Sequence, residues 1–143
     1  MEQRVSLITL AVADPERAAA IYEALGWRRV PASDGVVAFD LIGQTLGLNS
    51  RAELAAELGI EESEIGGFCG VTLAHNVREK DEVAPLLQAA ASAGGTVLVP
   101  AQDVFWGGHH GYFADPDGHV WEVAHNPFST LGPNGEFQWS GID

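Results

Sequence analysis

Glu122, His110 and Tyr112 are the side chains of this chain best suited to hold or move a proton. They lie in two short alternating stretches, His110-Gly111-Tyr112-Phe113-Ala114 and Val120-Trp121-Glu122-Val123-Ala124. A carboxylate in apolar surroundings must be paired, protonated, or waiting for a ligand that donates a hydrogen bond or a positive charge. An imidazole titrates near neutrality, so a Glu beside a His is a workable acid/base couple. Just upstream, Asp103-Val104-Phe105-Trp106-Gly107-Gly108 sets two aromatics before a Gly-Gly pair. That combination makes a flat apolar surface beside a flexible lip, the usual dressing of a small-molecule pocket. Asp115-Pro116-Asp117-Gly118 is expected to be a turn, His119 within it solvated, and the lone Cys69 a small buried residue.

These residues need a scaffold, and self-comparison supplies one. Leu7-Ile8-Thr9-Leu10-Ala11-Val12 lies over Gly70-Val71-Thr72-Leu73-Ala74-His75, and Gly43-Gln44-Thr45-Leu46-Gly47-Leu48 over Gly118-His119-Val120-Trp121-Glu122-Val123. The chain therefore reads as an α+β fold of two repeated βαβββ modules, residues 4–50 and 67–126. In the first module Ile8, Leu10 and Val12 alternate as a strand. Asp14 and Pro15 start a helix carrying Ala18, Ile21, Tyr22 and Leu25, which ends at Gly26. Strands are expected near Trp27–Val30, Val36–Leu41 and Gln44–Asn49. Residues 51–64 read as a connecting helix with Leu54 and Leu58 on the core. A second helix over 79–93 buries Val83, Leu86, Leu87 and Ala90, and Pro85 fits it only if the helix starts late. Strands near Thr96–Pro100, His110–Ala114 and His119–His125 follow. The tail, 127–143, carries Phe128, Phe137 and Trp139 and is expected to pack onto something.

Two such modules, paired, form one curved mixed sheet with helices on one face and a cup-shaped cavity on the other. Strand parity assigns the residues. Ile8, Leu10, Val12, Val71, Leu73, Phe113, Trp121 and Val123 are expected on the helix side. Leu7, Thr9, Ala11, Val36, Ala38, Asp40, Gly47, Gly70, Thr72, Ala74, His110, Tyr112, Ala114, Val120, Glu122 and Ala124 are expected in the cup.

Seven Lys and Arg against twenty Asp and Glu leave a net charge of −13 over 143 residues, which repels phosphate backbones and anionic membranes. Neither nucleic acid nor a membrane is an expected partner. One cysteine, no signal-type segment and no long apolar run fit a cytoplasmic protein. Acids such as Glu53, Glu57, Glu61, Glu62 and Glu64 are expected only to solubilise the connecting segment. All seven cations lie at or before Lys80, so the second module offers little to an anionic substrate.

The opening Ile8–Trp27, the run Phe113–Pro127 and the repeat resemble the vicinal oxygen chelate superfamily, which includes glyoxalase I, bleomycin-resistance proteins and extradiol dioxygenases. The resemblance implies the cup and a site within it. Its metalloenzymes place one ligand at each of four repeat-related positions, which here read Leu7, Gly47, Gly70 and Glu122. Three of the four lack a donor, so the expectation is a metal-independent homodimer that binds a small molecule. Trp106 and Tyr112 would stack on a neutral or cationic aromatic ligand and Glu122 would pair with it. The alternative is a lyase, isomerase or dioxygenase using Glu122, His110 and Tyr112, with a divalent metal only if His109, His110 or His125 joins Glu122 in a rebuilt site.

Overall fold

Asp14 caps the first helix with its own side chain, accepting the N–H groups of Glu16 and Arg17, two first-turn amides that would otherwise lack partners. A computed structural model describes residues 1–142 and divides into two units, Met1–Gly67 and Phe68 onward.

In the first unit, β1 (Leu7–Val12) leads into α1 (Pro15–Ala24), then β2 (Val37–Asp40) and β3 (Thr45–Ser50). The sheet order is β1-β3-β2, with β1 parallel to β3 and β2 antiparallel to it. Val12, Ile21, Tyr22, Phe39, Leu46 and Leu48 are almost wholly buried. The expected strand at Trp27–Val30 is reduced to a single bridge between Val30 and Ala38. Side chains, not a backbone ladder, fix this stretch. Trp27 stacks on Tyr22 at 5.4 Å and meets Phe39 edge-on at 5.7 Å, while Arg29 reaches back to Glu16 and Glu23.

The connecting helix is shorter than expected. Ser50 caps α2 (Arg51–Leu58), and Gly59 ends it in a left-handed conformation at φ 70°, where a side chain would be strained. A separate short turn follows at Glu62–Glu64. Ala55 is the buried contact, Leu54 is half-buried, and Leu58 is exposed, against expectation.

The second unit holds β4 (Thr72–Asn76), α3 (Val83–Ser92), β5 (Thr96–Asp103), β6 (His109–Ala114) and β7 (Val120–His125). Its sheet runs β4-β7-β6-β5. α3 begins late, after a 3-10 turn at Lys80–Glu82, so Pro85 sits in its first turn and costs no helical hydrogen bond. Val83, Leu87 and Ala90 are buried and Leu86 is half-buried. Asp115, 4% exposed, takes the N–H groups of Asp117 and His119 and closes the β6–β7 turn. His119 is half-buried rather than solvated.

The two halves match with an offset. Leu7 pairs with Thr45, the first residue of β3, and Thr72 pairs with Val120, the first residue of β7. Leu7 therefore corresponds to Thr72, and Gly70 lies in the loop before β4 with φ 84°. A slip of two residues preserves strand parity, so the face assignments survive it. Val71 does not pack on a helix: it lies outside the strand and is exposed, as is Cys69.

The aromatics of the tail, Phe128, Phe137 and Trp139, are exposed within the chain. The backbone around them is nonetheless held. Arg78 donates to the carbonyls of Leu131, Gly132 and Pro133, and Ser129 donates to the Trp139 carbonyl at 2.6 Å. Arg78→Ala is expected to speed amide exchange at Gly141 and Ile142 by about tenfold, the scale of one lost charge-assisted hydrogen bond. Exchange mass spectrometry would check this against β7, whose rates should not change.

Candidate functional site

β6 and β7 pair antiparallel with Tyr112 opposite Glu122 and His110 opposite Ala124. The three chemical side chains therefore share one face, and His110 reaches Glu122 diagonally across the ladder. The opposite face belongs to α3. A Cβ at Gly111 would collide with the Leu87 side chain and stand 2.7 Å from the Val99 carbonyl oxygen, so the helix lies directly on the strand there. Trp121, Val123 and Phe113 are buried on that side, with Phe113 stacked on Trp121 at 6.4 Å.

His110 Nδ1 lies 2.7 Å from Glu122 Oε1, with side-chain exposures of 16% and 22%. Both groups are thus substantially desolvated, which strengthens their mutual attraction. Tyr112 meets the His110 ring edge-on at 5.1 Å. Its phenol is pushed above its ordinary value, first by burial and then by the negative charge of Glu122 and a hydrogen bond to it. A raised phenol keeps its proton in the fold at a pH where the unfolded chain has lost it. Its contribution to stability is therefore complete below the ordinary value near 10 and is lost as pH rises through the folded value. In a Tyr22→Phe background, phenolate absorbance should titrate above the ordinary value, and Glu122→Gln should bring it partway back, since burial remains.

Trp106 completes the group. The loop from Val104 to Gly108 closes on two backbone bonds, Val104 N to Gly108 O and Gly107 N to Val104 O, each 3.0 Å. The indole folds back over Gly108, where any Cβ would overlap the ring, and meets His110 edge-on at 6.5 Å. Gly107, at φ 99°, makes the bend, and its α-carbon faces the Phe128 ring.

The other expected site residues lie on the strands of both units and in the loop before β4. Leu7 and Thr9 are exposed, Ala38 is half-buried and Gly47 is buried, Gly47 lying against the Leu7 and Thr9 side chains. Asp40 is exposed and accepts the Thr45 hydroxyl at 2.8 Å. Thr72 and Ala74 are exposed, whereas Ala11 and Ala124 are buried despite lying on the face opposite the helices. Asn49, on the same face of β3 as Gly47, escaped sequence reasoning. Its side chain is only 7% exposed, directly after the buried run Leu46-Gly47-Leu48.

The donors present do not fit the metal site that the resemblance implies. Leu7 and Gly47 have no donor, and the register places Thr72 at the third position. His109 and His125 share the face of β6 and β7 that α3 covers, away from Glu122, and His109 bonds Asp103 instead. Of these histidines only His110 bonds Glu122, and it spends Nδ1 on the carboxylate. No group of three or more His, Cys, Asp or Glu able to hold a metal occurs among the described residues. No described helix is long and apolar enough to cross a membrane.

A crystal structure of a glyoxalase-related enzyme from Fulvimarina pelagi is 37% identical, covering 98% of this chain and 100% of that one at a TM-score of 0.89. A lactoylglutathione lyase from Agrobacterium tumefaciens shares the fold at 20% identity and a TM-score of 0.65, over 88% of this chain and 96% of that one. An uncharacterized protein of Mycobacterium bovis is 31% identical over 106 residues, 71% of this chain and 67% of that protein. Two Mycobacterium tuberculosis counterparts are matched over 60% of their length, so the chain spans somewhat under two thirds of those relatives. The family model for the Glyoxalase/Bleomycin resistance protein/Dioxygenase superfamily matches residues 4–123. With that match over most of its length, the chain belongs to this superfamily.

Proposed function

We propose that the chain, acting as a homodimer, binds a small planar ligand that is neutral or cationic, without a metal, at the cluster of Glu122, His110, Tyr112 and Trp106. The observation that carries this reading is the Glu122 carboxylate. It is 22% exposed, His110 and the Tyr112 hydroxyl bond to it, and among the described residues no Lys or Arg forms an ion pair with it. The two cations of the second unit are occupied elsewhere, Arg78 on the tail carbonyls and Lys80 on Asp103. A ligand carrying a positive charge or an N–H donor satisfies the carboxylate, and the rings of Trp106 and Tyr112 supply apolar contact.

Fluorescence titration with two flat probes of similar size, quinolinium and quinoline carboxylate, tests the proposal. The cation is expected to quench the indole signal saturably, and Trp106→Phe to remove most of that change. Tighter binding of the carboxylate would overturn the reading.

The pairing of His110 with Glu122 favours a second reading, an acid/base enzyme of the lyase or isomerase type. With Nδ1 engaged by the carboxylate, Nε2 is the nitrogen left to exchange a proton, an arrangement suited to general base catalysis. The two readings part on the fate of the ligand. A binding protein returns it unchanged after incubation in excess, and an enzyme yields a product.

A further inference from the structure

We propose that Phe128 is a positioning residue for the Glu122 cluster: its ring holds the tip of the loop 104–108 so that the Trp106 indole stands beside His110. This inference rests on the reading of that cluster as a ligand site.

The loop is anchored at its base and free at its tip. At the base, Asp103 and His109 pair across β5 and β6. His109 Nδ1 lies 2.8 Å from Asp103 Oδ1, and Lys80 makes an ion pair with the same oxygen. Beyond them, the two backbone hydrogen bonds of the loop, Val104 to Gly108 and Gly107 to Val104, are internal to it, and Phe105 is wholly exposed. Internal bonds set the shape of a loop but not its lean over the neighbouring strand. The indole meets His110 edge-on at 6.5 Å, a contact that a small rotation of the tip would open.

Phe128 supplies an outside contact at that tip. Two of its ring carbons lie 3.3 and 3.4 Å from where a β-carbon of Gly107 would stand, so the ring rests on the glycine that makes the bend. The phenyl is 70% exposed and adds little to any core, yet its backbone is fixed. Asn126 Oδ1 accepts the Phe128 N–H at 2.9 Å, and the Asn126 amide donates to the Ser129 hydroxyl, which donates in turn to the Trp139 carbonyl. Ser129 is almost wholly buried, which strengthens these bonds. Asn126 directly follows β7, the strand that carries Glu122. One strand and its exit thus deliver both the carboxylate and the ring that braces the loop of the indole.

The test places 5-fluorotryptophan in the full chain and follows the Trp106 fluorine resonance, identified by its loss in Trp106→Phe. Phe128→Ala removes an exposed ring and is expected to leave the thermal midpoint in place. It should nonetheless shift and broaden the Trp106 resonance, and Phe128→Tyr, which keeps the ring, should restore it. Quinolinium binding should weaken about fivefold in Phe128→Ala, the scale of one aromatic contact, with no further loss when the same change is made in a Trp106→Phe background. A Trp106 resonance that Phe128→Ala leaves unmoved, or a loss of binding that persists in full in the Trp106→Phe background, would overturn the proposal. If quinolinium does not bind the unaltered chain, the reading of the cluster falls, and the fluorine resonance still decides whether Phe128 positions the indole.

Discussion

Gly111→Ala is expected to destabilise the second unit by about 2–3 kcal/mol, the upper part of the range for forcing extra volume into a packed core. The added methyl collides with Leu87 of α3, and a rotamer change there would not suffice. The Val99 carbonyl oxygen lies 2.7 Å from the same point, so the backbone of β5 must also retreat. Leu87 is 3% exposed and Val83 and Ala90 are wholly buried, leaving α3 little freedom to tilt away. Thermal unfolding followed by circular dichroism should show a midpoint lowered by roughly 6–12 °C for a chain of this size. An unchanged midpoint would mean that α3 does not rest on this strand. A control at Gly118, where no atom lies within 4 Å but φ is 90°, separates crowding from backbone strain.

Glu122→Gln is expected to weaken the cationic probe by about 10- to 100-fold, the loss of a charge-assisted hydrogen bond in a partly desolvated setting. The amide keeps the size of the carboxyl and can still meet His110, so the fold should hold and a neutral probe should lose much less. Fluorescence titration of both probes reads the difference directly. Equal losses for the two would assign Glu122 a structural part rather than a role in charge recognition.

The Glu122 cluster was legible in the sequence for a simple reason. Strand side chains alternate with a period of two, and the Asp115–Gly118 turn fixes which residues of the hairpin face each other. Given the turn, Glu122, His110 and Tyr112 had to share a face. The same arithmetic tolerated an offset of two residues in matching the halves, which displaced Gly70 from the strand without exchanging the faces. Elements without a period fared worse. Trp27 to Val30 has the composition of a strand, but Trp27 is satisfied by Tyr22 and Phe39, and ring packing leaves no periodic trace. The fold of the indole over Gly108 depends on loop torsions that local composition does not encode.

The irregularity of β5 bears on how these molecules behave when crowded together. β5 is an outer strand of its four-stranded sheet, and it presents Val97 and Leu98 to solvent. A long, flat strand of that composition would template the addition of strands from other molecules and seed aggregates. Pairing with β6 shifts register between Val97 and Val99 and again between Val99 and Gln102, and Pro100, between them, has no N–H to offer. The outer hydrogen-bonding edge is thereby broken into pieces too short to recruit a foreign strand. Restoring it, with Pro100→Val, should leave the monomer folded but shorten the lag before fibrils form.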